Sequence, residues 1–146
     1  MSTVNQRNAT RNQSTADFQS TIPVFIFNNR FTYGIFKNTS GAELTLKRGM
    51  LVARSLTVVN GLIPVDDTNL ADVVGIAAVE EDVVLANNAS VNINMCVKGT
   101  VDGTALVLPA AVTLDTVEGN KTLRDVLEAV GFHIDTTSVE HTKFDN

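Results

Sequence analysis

Short apolar runs alternate with Gly and Asn breaks through the middle of the chain, from Lys47 to Val101. Each run has about the length of one β-strand. Gly and Asn adopt positive φ with little strain, so each break can turn the chain. The alternation therefore predicts a compact body made mainly of β-strands. The segments that show it are residues 47–52, 60–64, 73–77 and 97–101.

Three places in the chain have the pattern of a β-hairpin, in which two β-prone segments flank a short turn. Residues 43–54 predict a strand that breaks at Gly49, and residues 71–79 form a continuous small-apolar run typical of a buried strand. Within that run, Val74 and Ile76 are predicted to be buried, and Gly75 to allow close approach of a neighbouring backbone. The three predicted hairpins are residues 22–36 around Asn28-Asn29, residues 55–65 around Asn60-Gly61, and residues 98–108 around Asp102-Gly103.

One segment near the C-terminal end has the signature of a helix rather than a strand. Thr122 and Asp125 have the spacing of a capping box, and Gly131 is a suitable terminator. The intervening apolar residues recur at helical spacing. They are Leu123, Val126, Leu127 and Val130.

The length and composition suit a single domain with a real core, because 146 residues with 44% hydrophobic content can bury enough apolar surface. Residues 1–20 are different, since they are rich in Asn, Gln, Ser and Thr and cannot offset their ordering entropy alone. We therefore predict a mainly β (α+β) fold: a compact β-barrel or β-sandwich-like body with one short C-terminal helix and an extended N-terminal arm. The arm is residues 1–20, and residues 21–146 are the single β-rich domain.

The residue types that usually carry chemistry are sparse. His133 and His141 are the two histidines, and Cys96 is the one cysteine, so a zinc site is not expected. The acidic pairs Asp66-Asp67 and Glu80-Glu81 do not have EF-hand spacing. No phosphate-binding glycine loop or nucleophile elbow is recognisable. The sequence predicts a protein that is not an enzyme, with no catalytic, metal or cofactor-binding residues and no cofactor.

Charge and hydropathy exclude two classes of partner. The net charge of −5 argues against nucleic acid as a direct partner, because phosphate binding needs a basic face. No apolar stretch approaches the roughly 20 residues of a membrane-spanning helix, so no membrane association is expected. The acidic residues between Asp66 and Asp82 are either solvated turns or an electrostatic match to a basic partner.

The order of the segments resembles the phage lambda-type head decoration proteins, also called capsid cement proteins. The resemblance covers residues 46–132, which include the small helix, and a polar N-terminal arm also suits such proteins. It implies a structural virion protein that binds the outer surface of a bacteriophage capsid and stabilises the head against internal DNA pressure. The implied partners are the major capsid protein and further copies of the chain, most simply in a homotrimer, and the implied location is the outside of the virion after synthesis in the host cytoplasm. The segments that carry the resemblance are residues 49–52, 60–64, 74–77, 80–82, 97–101 and 122–131.

The arm and the Phe-rich segment of residues 22–36 depart from the shortest members of that family, and they are the expected docking elements. The aromatic residues either pack in the core or form an apolar strip that docks on another subunit. Two other functions stay open: a phage head-fibre or tail-associated β-module that could bind carbohydrate, and a small enzyme completed by a partner chain. The expected capsid or subunit contacts are Arg7, Arg11, Phe18, Phe25, Phe27 and Phe31.

Overall fold

The structure is a computed structural model that describes residues 24–136 of the chain. The predicted arm of residues 1–20 lies outside the described residues, and so do its candidate contacts Arg7, Arg11 and Phe18. Within residues 24–136 the chain forms ten strands, one short 3-10 helix and one α-helix, α1. Their bounds are β1 Phe25–Lys37, β2 Leu44–Leu46, β3 Leu51–Arg54, β4 Leu62–Pro64, the 3-10 helix Leu70–Asp72, β5 Val73–Ala77, β6 Val83–Leu85, β7 Ser90–Asp102, β8 Val117–Glu118, β9 Lys121–Thr122, α1 Leu123–Val130 and β10 Phe132–Asp135.

The main sheet has six strands in the order β1-β4-β3-β5-β7-β10, and β1 also pairs with β7. This second pairing closes β1, β4, β3, β5 and β7 into a ring. Strand β10 is not part of the ring and pairs with residues 99–102 of β7. Closure removes most of the unpaired edges that an open sheet would expose. The predicted mainly β, barrel-like body with one short helix near the C-terminus is confirmed.

The central strands bury side chains on both faces, and this gives the protein two cores. Phe36, Val52 and Ala77 belong to a first core that β1, β3 and β5 share. Leu51 and Ile76 point to the opposite face of the same strands. There they meet the second core, which α1 covers with Leu123 and Leu127.

Strand β5 confirms part of the expectation for the buried run. Ile76 is fully buried, and a Cβ atom added to Gly75 would lie 2.8 Å from the carbonyl oxygen of Cys96. The prediction that Val74 is buried in the same way is wrong, because Val74 is half-buried and packs on the first core rather than beside Ile76. A register shift against β3 skips Val74, so Val73 takes the buried position instead.

The predicted hairpin around Asn28-Asn29 is wrong, because β1 is one strand of 13 residues that runs through both asparagines. Asn28 does adopt positive φ, at 57°, but it produces an irregularity in the pairing with β7 rather than a reversal. The long strand β7 lies opposite β1 along its whole length and supplies the partner that a hairpin would have supplied locally. Tertiary pairing has overridden the local turn signal.

The predicted hairpin around Asp102-Gly103 is also wrong. The chain does turn there, and the Asp102 carboxylate holds the turn by accepting hydrogen bonds from the backbone N–H and hydroxyl of Thr104. No returning strand pairs with β7, because β1 occupies one of its edges and β10 occupies the other at this point. The chain instead crosses to Gly49, whose carbonyl accepts a hydrogen bond from the N–H of Val107.

One local prediction is confirmed and another is confirmed in part. Strands β3 and β4 pair as an antiparallel hairpin around Asn60-Gly61, but residues 55–59, predicted to form one of its strands, belong to the connecting loop. Helix α1 begins after Thr122, whose side chain forms a reciprocal capping box with Asp125, and it ends at Gly131. Both features are determined by residues close together in sequence, which is why sequence patterns detect them.

Candidate interaction surface

Apolar side chains stand uncovered on one side of the barrel, on β1 and on the loop that joins β3 to β4. Tyr33 is 72% exposed and Val59 is 89% exposed. Exposed apolar residues on a monomer are usually scattered singly, so a cluster of them is uncommon. We call this cluster the β1 surface. It consists of Phe31, Tyr33 and Ile35 on β1, and of Leu56, Val58 and Val59 on the loop.

The alternation of β1 explains the exposure. Phe36 points inward and is fully buried, while Gly34 lies so close to Leu62 that a Cβ atom would clash with it. Tyr33 and Ile35 must then point outward, because successive side chains of a strand lie on opposite faces. Helix α1 packs against β5 and β10, and Tyr33 and Ile35 on β1 are 72% and 61% exposed.

A groove of about 470 Å³ runs between β1 and the β3–β4 loop. Its apolar walls come from Tyr33 and Ile35 on one side and from Val58 and Val59 on the other, with Leu62 also lining it. Among the described residues that line the groove, Lys37 is the one charged side chain. The groove is therefore suited to an apolar segment of another molecule rather than to a charged metabolite.

A second cavity, of about 300 Å³, adjoins the same surface. Phe31, Tyr33 and Glu80 are among its lining residues, so Tyr33 belongs to both cavities. Arg48 also lines it, with its guanidinium carbon 4.8 Å from the centre of the Phe25 ring. Arg48 also donates to the carbonyl of Ala78 at 3.3 Å. It therefore links Phe25 on β1 to the segment that follows β5.

The predicted aromatic contacts divide between core and surface. Phe25 is half-buried and packs against the second core, with its ring edge-to-face on Phe31 at 5.3 Å. Phe27 is 71% exposed and Phe31 is 47% exposed, so both are available to a partner. Sequence reasoning missed the rest of the β1 surface. Two signals could have found it: the alternating residues Phe31, Tyr33 and Ile35, and the three large apolar residues in the segment before Asn60-Gly61.

The acidic residues do not form one continuous patch. Asp66 and Asp72 precede β5, whereas Glu80 and Asp82 follow it, and a strand of five residues separates the two groups by roughly 17 Å. The Thr68 hydroxyl donates to the Asp66 carboxylate and lowers the pKa of that exposed group. This arrangement favours the interpretation of the acidic residues as solvated turns at the two ends of β5.

Cys96 is fully buried between β1 and β5. Burial raises the pKa of its thiol, although the Sγ atom donates to the carbonyl of Lys98 at 3.1 Å. A raised pKa lowers the thiolate fraction and with it the reactivity of the sulfur. Within residues 24–136, no group of three or more His, Cys, Asp or Glu side chains could hold a metal ion. That same stretch contains no helix of the length and apolarity needed to cross a bilayer.

No protein-family model matches this chain, and no curated protein matches it either. Among residues 24–136, the β1 surface is the feature best suited to contact with another molecule. It offers an apolar sheet face, a groove beside it and a projecting loop, all held on a closed barrel.

Proposed function

We propose that this protein is a non-enzymatic decoration protein that binds the outer surface of a bacteriophage capsid and stabilises the filled head. The observation that carries the proposal is the β1 surface, an uncovered apolar sheet face on an otherwise closed barrel. Such contiguous apolar surfaces usually mark sites of protein–protein contact. The proposed partners are the major capsid protein and further copies of this chain, in a trimer, with no direct contact to nucleic acid or membrane.

The arrangement of the barrel supports this role. The segments that resemble head decoration proteins form neighbouring strands: Gly49 leads into β3, Asn60-Gly61 leads into β4, and β5 and β7 follow beside them. They build one rigid unit whose side chains interlock in the first core. A rigid unit suits a structural role, because it loses little conformational entropy when it binds.

The proposed mechanism is stabilisation by mass action. A protein that binds the assembled, expanded shell better than other states shifts the equilibrium toward that shell. Each contact can be modest, because the same contact is repeated over every equivalent position of the lattice. The outward force of packaged DNA is then opposed by many bridges between neighbouring capsomers, and no catalytic group is required.

Heads that lack this protein should release their DNA at a lower temperature, or at a milder osmotic shock, than complete heads. Adding the purified full-length protein to undecorated heads should restore the resistance, and electron microscopy should show added density on the outer surface. The shell itself should assemble without the protein. Equal resistance of depleted and complete particles would reject the capsid role and favour the fibre or tail alternative.

Deleting residues 1–20 should weaken head binding and leave the barrel folded. The described strands begin at Phe25, and their cores contain residues from Val24 onward, so the deletion removes none of them. The deleted segment carries Arg7, Arg11 and Phe18, which can contact the capsid lattice. Circular dichroism and thermal melting test the fold, and co-sedimentation with heads tests binding. Unchanged co-sedimentation would remove the arm from the proposed mechanism.

The exposure of Tyr33 also favours a second candidate, a carbohydrate-binding β-module on a head fibre or tail. Aromatic rings beside a groove can stack on sugar rings, and Tyr33 lines the larger groove. A glycan array with the full-length protein distinguishes the candidates. Binding of a defined glycan, lost in Tyr33→Ala, would support the carbohydrate function and count against the capsid function.

A further inference from the structure

We infer that the β1 surface is the contact through which a second copy of this chain packs. The inference rests on the proposed function and deepens it, because it assigns the self-association of the decorating protein to one particular surface. Phe31, Tyr33 and Ile35 supply the flat part of the contact, and the projecting loop supplies the rest.

The size of the surface is the first reason. Its six side chains leave on the order of 700 Å² accessible, if a large apolar residue carries roughly 150–250 Å² when fully exposed. The largest apolar patch of a typical monomer is about 300–600 Å². A standard interface buries about 800 Å² per partner. The β1 surface is thus larger than a monomer usually tolerates and nearly large enough for one side of a stable contact.

Shape is the second reason. Val59 projects from the loop with 89% of its surface exposed, and it lines the same groove as Tyr33 and Ile35. Every copy therefore carries both an apolar projection and an apolar groove on the same side. A groove and a projection on the same side let the projection of one copy enter the groove of the next, either reciprocally in a two-fold dimer or head to tail around a closed trimer.

Charge is the third reason. Strand β1 contains two basic residues, Arg30 and Lys37, and no acidic residue. Glu80 lines the cavity beside Phe31 and Tyr33, at the other end of the β1 surface from Lys37, so a second copy can place its Glu80 against the Lys37 of the first. Opposite charges that meet at the edge of a contact favour that pairing.

Tyr33 provides a direct probe, because the chain contains one tyrosine and no tryptophan. Its fluorescence therefore reports on the centre of the β1 surface alone. We expect analytical ultracentrifugation of the full-length protein to show self-association below roughly 100 µM. Over the same concentration range, acrylamide quenching of Tyr33 should fall by about three-fold or more, because the exposed ring becomes buried in the contact.

A matched pair of substitutions locates the contact. Val59→Asp should raise the dissociation constant by about 100-fold, since it places a charge within a desolvated apolar contact. Val117→Asp is the control, because Val117 is 66% exposed but lies on β8, outside the β1 surface. It should change the dissociation constant by less than about two-fold. Circular dichroism of both variants verifies that each is folded.

Three results would overturn the inference. One is a wild-type chain that stays monomeric throughout the concentration range, and another is an oligomer in which Tyr33 is quenched as readily as in the monomer. The third is a monomer in which Tyr33 is already protected, which would assign the groove to residues 1–23 of the same chain. A monomer that still binds heads rejects this contact alone, whereas an oligomer that does not bind heads rejects the capsid function alone.

Discussion

Replacing Ile76 with Ala should lower the free energy of unfolding by about 2–5 kcal/mol. Ile76 is fully buried in the second core and pairs with Leu51 on β3 and with Cys96 on β7. Its side chain therefore lies where three strands of the barrel meet the helix layer. Truncation removes buried methyl groups and leaves a cavity that the fixed strand pairings cannot close.

Urea denaturation followed by circular dichroism measures this change. Val84→Ala is the control, because it truncates a β-branched residue of strand β6 that is 61% exposed and lies outside the β1 surface. The control should cost less than about 1 kcal/mol. A loss below about 0.5 kcal/mol for Ile76→Ala would show that β5 is not part of the core.

Replacing Asn38 with Ala should lower the free energy of unfolding by about 3 kcal/mol, because it leaves several buried polar groups without partners. Asn38 is fully buried at the end of β1. Its Nδ2 atom donates to the carbonyls of Ala42 at 2.7 Å and Leu85 at 3.0 Å. Its Oδ1 atom accepts from both the backbone N–H and the hydroxyl of Ser40. This one amide holds the turn after β1 against the end of β6.

Asn92→Ala is the control for this second substitution, since Asn92 is an exposed residue of β7. We expect it to change the unfolding free energy by no more than about 0.5 kcal/mol. Hydrogen exchange should also show faster exchange in residues 38–44 and 83–89 of the Asn38 variant. Equal stability of the two variants would mean that water replaces the lost hydrogen bonds at the Asn38 site.

The apolar contacts of the candidate site were only partly predictable from sequence. Phe27 and Phe31 are exposed, which is compatible with the predicted docking strip, whereas Phe25 contributes to the core. Tyr33 and Ile35 could not be distinguished from core residues by sequence. Strand β1 has apolar residues on both of its faces, and its sequence does not indicate which face the rest of the protein covers. That information depends on which distant elements pack on β1, and the inward residue Phe36 packs with core residues from β3 to β7.

Sequence alone determined the features that depend on neighbouring residues. The mainly β composition follows from apolar runs between Gly and Asn breaks, and the start and end of α1 follow from Thr122, Asp125 and Gly131. The reversal between β3 and β4 follows from the Asn60-Gly61 signal, although the strand that pairs with β4 is residues 51–54 rather than residues 55–59. The hydrogen bonds of the helix ends and of the turn join residues only a few positions apart, so the local pattern contains their physical cause.

The tertiary structure alone decided the features that depend on distant pairing. The Asn28-Asn29 segment could have turned the chain, but pairing with β7, some 70 residues away, keeps β1 extended. The turn at Asp102 could have returned a strand, but β10 already occupies that edge of β7. The closure of the barrel and the uncovered face of β1 have the same origin. Backbone hydrogen bonds within a sheet are satisfied by whichever strand lies alongside, and a local sequence pattern does not encode which strand that is.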